Sequence, residues 1–170
     1  MQSVVVPRQS TLRRRSFAAS FLPGRFDWLM GLYAENHKRL ARLFAPERLT
    51  VGDYVSSVGD GLDVHLSVQE RHPYTLELGL SYALLDESTG HPAPSAQLRT
   101  YLDAHMTEAL HCEPGRELWQ VLGPLTPARN VVQHRLRMNG FLNRWLEYLA
   151  EQGHSLATLE RLSTDTPALV

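Results

Sequence analysis

The chain carries one cysteine, Cys112, in 170 residues. A lone thiol closes no internal disulfide and cannot build a cysteine-rich zinc site. No covalent staple holds the fold, which suits a reducing compartment. Long apolar runs are also missing. A membrane helix needs about 18 consecutive apolar residues, and the best stretch, residues 76–85, is interrupted by Glu77, Gly79 and Ser81. No membrane span is therefore expected. Charge of one sign is absent too: the formal net charge is −1, whereas a surface that grips nucleic acid is normally strongly basic. Finally, no G-x-S-x-G elbow, P-loop, G-x-G-x-x-G turn or H-E-x-x-H helix occurs. Those absences leave nucleophile elbows, phosphate cradles and zincin chemistry without a motif. No catalytic residue, metal ligand set or cofactor is assigned.

What is present reads as one globular domain, with 43% hydrophobic and 21% charged residues. Residues 1–26 stand apart, because Arg8, Arg13, Arg14, Arg15 and Arg25 precede the first acid, Asp27. This stretch reads as a flexible basic arm. Residues 27–154 form the domain, and residues 155–170 a C-terminal extension or tail.

A helix is expected over residues 27–44, with Asp27 as N-cap and Pro46 setting its end. Leu29, Tyr33, Asn36, Leu40 and Leu43 share one face at helical spacing. Asn36 is the polar exception there and must find partners, since leaving them unmade costs about 1–3 kcal/mol. Period-two alternation follows. Strands are expected at 51–58, 62–69, 74–82, 97–102, 105–112 and, carrying Trp119, 118–122. Gly59-Asp60-Gly61 and His72-Pro73 mark turns, and Asp103-Ala104 a tight connection. Leu62, Val64, Leu66 and Val68 alternate with Asp63, His65, Ser67 and Gln69, so one sheet face belongs to a core and the other to water. A second helix is expected over 127–152, opened by Thr126-Pro127 and closed by Gly153. Its broad stripe includes Val131, Met138, Phe141, Leu142, Trp145, Leu146, Tyr148 and Leu149. The fold class is thus α+β: an antiparallel sheet of about five to six strands flanked by an N-terminal and a C-terminal helix.

Candidate chemistries are few. Asp103, His105 and His111 would share a side if the period of two held through the turn, giving a weak polar cluster for acid–base or metal-assisted hydrolysis. The turn itself threatens that parity. Cys112 cannot pair with His111, because adjacent strand residues face opposite ways. Nucleic acid would be met only through Arg13, Arg14 and Arg15, and that arm lacks aromatics for base stacking. Tyr33, Trp119, Trp145 and Tyr148 are residue types enriched at interfaces. With Asn36 and Asn139 they form the ligand or interface candidates. Both asparagines are expected near the helix–sheet contact, bonded to backbone.

Three segments carry a resemblance: L-Y-A-E-N-H-K-R-L-A-R-L-F-A-P (32–46), Y-L-D-A-H-M-T-E-A-L-H-C (101–112) and M-N-G-F-L-N-R-W-L-E-Y-L (138–149). Together they resemble the YqiB-like proteins of proteobacteria, over residues 27–154. The resemblance implies a bacterial, cytoplasmic protein and no known activity. In some bacteria genes of that family lie near a cyclic-nucleotide phosphodiesterase and an ADP-ribose pyrophosphatase, a hint of nucleotide biology. The expectation from sequence is a non-enzymatic protein-binding or adaptor protein, with self-association as a homodimer. A small-ligand binder, for instance of a nucleotide, stands second and the hydrolase third.

Overall fold

The computed structural model describes residues 24–59, 61–83, 90, 92, 94–113 and 131–163. Among them the elements run α1 (Arg25–Phe44), β1 (Gly52–Ser56), β2 (Val64–Arg71), β3 (Thr75–Tyr82), β4 (Ser95–Tyr101), β5 (Met106–Glu113), α2 (Val131–Glu151) and β6 (Leu159–Arg161). Short 3₁₀ turns lie at Pro46–Arg48 and Leu156–Thr158. Every strand pairing is antiparallel, in the order β5-β4-β3-β2-β1-β6. This is the α+β architecture expected from the alternation and the two helical stripes.

Local chemistry sets the boundaries. The first helix starts at Arg25, two residues before the expected N-cap, with Gly24 in the capping position. Asp27 works from inside the first turn instead, its carboxylate accepting the Gly24 backbone N–H at 3.0 Å. An acid three residues into a helix satisfies an orphan donor from that side as well as an N-cap does. At the other end Ala45 turns left-handed (φ 45°) ahead of Pro46, which cannot donate a helical hydrogen bond. The second helix closes on Gly153 at φ 95°, with Gly153 N–H donating to the Ala150 carbonyl and His154 N–H to that of Leu149. That pair of bonds is a Schellman closure. The Thr126-Pro127 start lies outside the described residues.

Both helices cover one sheet face. Val64 and Leu66 are 0% exposed and Val68 is 1%; Leu76, Leu78, Leu80, Tyr82, Ala96, Leu98 and Ala109 continue the same face under Leu40, Phe44, Phe141, Leu142, Trp145 and Leu149. The helices run parallel, because Asn36 meets Asn139 and Asn143 while Arg39 meets Glu147 at 3.2 Å.

Two features depart from the expected pattern. First, the extension after Gly153 supplies β6, which pairs with Tyr54–Ser56 on β1. Three residues are too short to show a period, so only tertiary pairing defines that strand. The strand expected at 118–122 lies outside the described residues. Second, β5 carries a bulge: Leu98 faces Ala109 but Gln97 faces His111, leaving Leu110 as the extra residue. A one-residue insertion reverses which residues face inward. Before it Thr107 and Ala109 point into the core, and after it Cys112 does, which turns His111 outward.

Candidate functional site: the open face of the sheet

With both helices on one side, the opposite face is free to be polar. Its residues are laid across the strands by register. One row runs Asp53, Ser67, Gly79, Gln97, His111, and the next Val55, His65, Ser81, Ser95, Glu113. These residues, apart from Val55, line a groove of about 700 Å³, together with Gln69, Pro92 and Leu162. Its floor is low because Gly79 sits mid-strand without a side chain. A Cβ there would come within 2.6 Å of Ser67 Oγ and 3.0 Å of Gln69 Nε2. Flanking the groove on β4, Arg99 is held by Glu77 at 2.6 Å. Hydroxyls, amides, imidazoles and two carboxylates therefore converge on a concave surface, an arrangement suited to hydrogen bonding of a small polar molecule. Reading strands for hydrophobic alternation placed His65, Ser67, Gln69, Gly79 and Ser81 on the wet side and went no further. Glycine amid an alternating strand marks a close approach, and the run of Ser and Gln in place of Lys and Glu on that face is the second signal that points here.

The residues singled out from sequence are distributed otherwise. Tyr33, Asn36, Asn139 and Trp145 are buried, and Tyr148 is half-buried against the core. Asn139 is the junction of the three layers. Its Oδ1 accepts the Ala109 N–H of β5 at 2.7 Å, its Nδ2 donates to the Arg135 carbonyl at 2.9 Å, and its carbonyl and Oδ1 both accept from Asn36 Nδ2 at 3.3 Å. Asn143 Nδ2 donates to Asn36 Oδ1 at 3.0 Å. Asn139 thus lies at the helix–sheet contact and bonds to backbone as expected, whereas Asn36 bonds backbone at the contact between the two helices and has no hydrogen bond to the sheet among the described residues. Tyr33 hydrogen-bonds with Arg135 and Glu108, and burial pushes its hydroxyl above the usual tyrosine range. Arg135 Nη1 in turn holds the buried Glu108 at 2.7 Å, and Glu108 accepts from Tyr101 OH at 2.7 Å. These side chains bind layers of one molecule together. Trp119 lies outside the described residues.

Asp103, His105 and His111 are not brought together. Asp103 accepts the Ala104 N–H at 2.9 Å within the turn, and His105 takes φ 51° there. His111 stands near the far end of β5 with its Nε2 3.2 Å from Glu113 Oε1. Among the described residues no group of three His, Cys, Asp or Glu is placed to hold a metal ion. His105 packs instead on His37, ring centroids 5.4 Å apart. The His37 pKa is lowered by burial first and by the charge of His105 second, with Glu47 opposing.

A histidine that binds its proton less tightly when folded stabilises the fold above its unfolded pKa of about 6.5, and that stability drains away as pH falls through this value toward the lower folded one. The melting temperature is accordingly expected to drop as pH falls below about 6.5. His37→Gln should flatten that drop in melting curves taken across the same range. A variant profile as steep as the parent's would assign the loss elsewhere.

One polar cluster escaped the sequence. Ser56 Oγ lies 2.8 Å from His154 Nδ1 and 2.6 Å from Thr158 Oγ1. The distance suits a nucleophile and its base, but Ser56 is wholly buried and no substrate reaches it. The cluster pins the segment that leads into β6. Cys112 is also buried, its thiol pushed up to about 12 by burial, so it packs as an inert small hydrophobe. Among the described residues no helix is long and apolar enough to cross a membrane.

Comparison with known proteins adds one match. No curated protein and no solved structure is similar to the chain. The family model described as Protein of unknown function (DUF1249) matches residues 39–155, a span that runs from the last turns of α1 through β1–β5 to the closure of α2. The chain belongs to the DUF1249 family.

Proposed function

We propose that the protein binds a small polar ligand in the groove on the open face of its sheet. The observation that carries this reading is the groove itself: about 700 Å³, within the roughly 300–1,000 Å³ of small-molecule sites, with a glycine floor and convergent donors and acceptors. It moves the small-ligand reading ahead of the adaptor reading. The aromatic stripe of α2 that favoured a protein partner is spent on the core, where Trp145 is 0% exposed. A partner surface remains as the second reading on one observation: Phe26 and Trp28 are 62% and 65% exposed in the first turn of α1. The proposal also takes the chain as a YqiB-like bacterial protein of the cytoplasm, on the strength of the three resembling segments and a single buried thiol.

The test is a thermal-shift panel on the full chain, covering nucleotides, polyamines, sugars and amino acids, run on the parent and on Gly79→Val. The valine fills the floor, and the closest atoms its Cβ meets are the Ser67 hydroxyl and the Gln69 amide, both ends of side chains that can rotate. A ligand at a hundred times its Kd stabilises the fold by about 2.7 kcal/mol. A melting-temperature rise in the parent that Gly79→Val removes is the expected outcome. A panel that shifts neither protein, or shifts both alike, speaks against the groove.

A further inference from the structure

Resting on the groove as the ligand site, we propose that its occupant is an extended organic polycation of the polyamine class, held by Asp53 at one end and Glu113 at the other. Among the described residues the lining contains two carboxylates and neither lysine nor arginine. The cations closest by are already engaged: Arg99 with Glu77, and Arg161, whose Nη2 donates to the Val51 carbonyl at 3.2 Å. A phosphate offers only acceptors and asks for donors and positive charge. Backbone N–H groups of interior strands cannot serve, since they are spent on the sheet ladder, and the ends of both helices lie on the opposite face.

An ammonium group asks for the reverse. It brings donors alone and needs acceptors around it, which the hydroxyls of Ser67, Ser81 and Ser95 and the amide oxygen of Gln97 supply. The placement of the acids adds length to the specification. Asp53 is on β1 and Glu113 on β5, four interstrand steps apart, or about 19 Å at the usual spacing. Opposite charge at both ends, neutral acceptors between them and a shallow glycine floor match a linear amine with terminal charges better than a compact or anionic ligand. They also set this ligand class apart from the nucleotide expected from sequence.

Titration calorimetry at pH 8 on the full chain, with spermine, ADP and maltotriose as probes, tests this against the Asp53→Asn/Glu113→Gln double variant and against Gly79→Val. Both acids are exposed, so their neutralisation leaves the core intact, which circular dichroism verifies. Spermine is expected to bind the parent one to one, about tenfold more weakly to the double variant, and not to Gly79→Val; ADP and maltotriose should give no heat. Absence of spermine binding, or equal affinity in the double variant, overturns the polycation. ADP or maltotriose binding that Gly79→Val abolishes also overturns it while leaving the groove as a ligand site. Spermine binding that survives all the substitutions overturns both readings.

Discussion

Trp145→Ala is expected to cost about 3–5 kcal/mol, the usual range for truncating a large aromatic in a core. Domains of this size are stable by only about 5–15 kcal/mol, so the substitution removes a large share of the total. The side chain is 0% exposed at the centre of α2. Its ring meets Tyr82 of β3 edge-on at 5.7 Å and Phe141 at 5.8 Å, so its removal opens the contact through which the helix grips the middle of the sheet. Trp145→Phe should be far milder. The indole N–H has no hydrogen-bond partner among the described residues, and phenylalanine removes that donor while keeping most of the volume. Urea unfolding followed by circular dichroism measures both variants. An alanine cost under about 1 kcal/mol would mean that the site collapses or that Trp145 is not the keystone.

The position of that tryptophan was legible because burial leaves a periodic trace. Leu62, Val64, Leu66 and Val68 alternate since one sheet face is sealed by two helices, and the stripe on α2 is wide since it packs on both the sheet and α1. Pro46 and Gly153 mark helix ends through backbone chemistry that needs no tertiary context. Where the fold depends on a single event in space, the trace is silent. The Leu110 bulge reverses parity within β5 and sends His111 outward, and His105 leaves the strand conformation altogether. The side shared by Asp103, His105 and His111 under strict alternation is thus undone by backbone geometry. Likewise, β6 exists because Ser56, His154 and Thr158 hydrogen-bond, not because Leu159-Glu160-Arg161 has any pattern of its own.

The groove was illegible for a different reason. Hydrophobic periodicity describes what is buried, whereas this polar concavity is assembled from a few residues on each of five separate strands. His65, Ser67, Gly79, Ser81, Ser95 and Gln97 become neighbours only after register is fixed. From sequence all but Ser95, which lies before the expected strand 97–102, belong to strands 62–69, 74–82 and 97–102, and only Gly79 and the run of Ser and Gln set them apart from any wet face.

Asn36 and Asn139 occupy the middle ground: Asn36 is recognisable as a polar residue on an apolar stripe, but neither is legible as the partner of the other. Asn139→Ala is expected to cost about 3 kcal/mol, because it strands the Ala109 N–H and the Arg135 carbonyl and removes the side-chain acceptor of Asn36, which keeps only the Asn139 carbonyl, each such buried group costing about 1–3 kcal/mol. The Ala109 N–H matters most. It belongs to β5, which among the described residues is an edge strand with no further strand to offer a carbonyl, and it lies next to the bulge. Asn36→Ala should cost less, about 1–2 kcal/mol, since it deprives Asn139 of one donor and leaves the strand edge capped. The double variant is expected to fall short of the sum of the two by about 1 kcal/mol, the coupling of a shared network. Equilibrium unfolding of the four proteins closes the cycle. Strict additivity would show that the two asparagines act as separate buried amides, and that α1 is joined to the strand edge by packing alone.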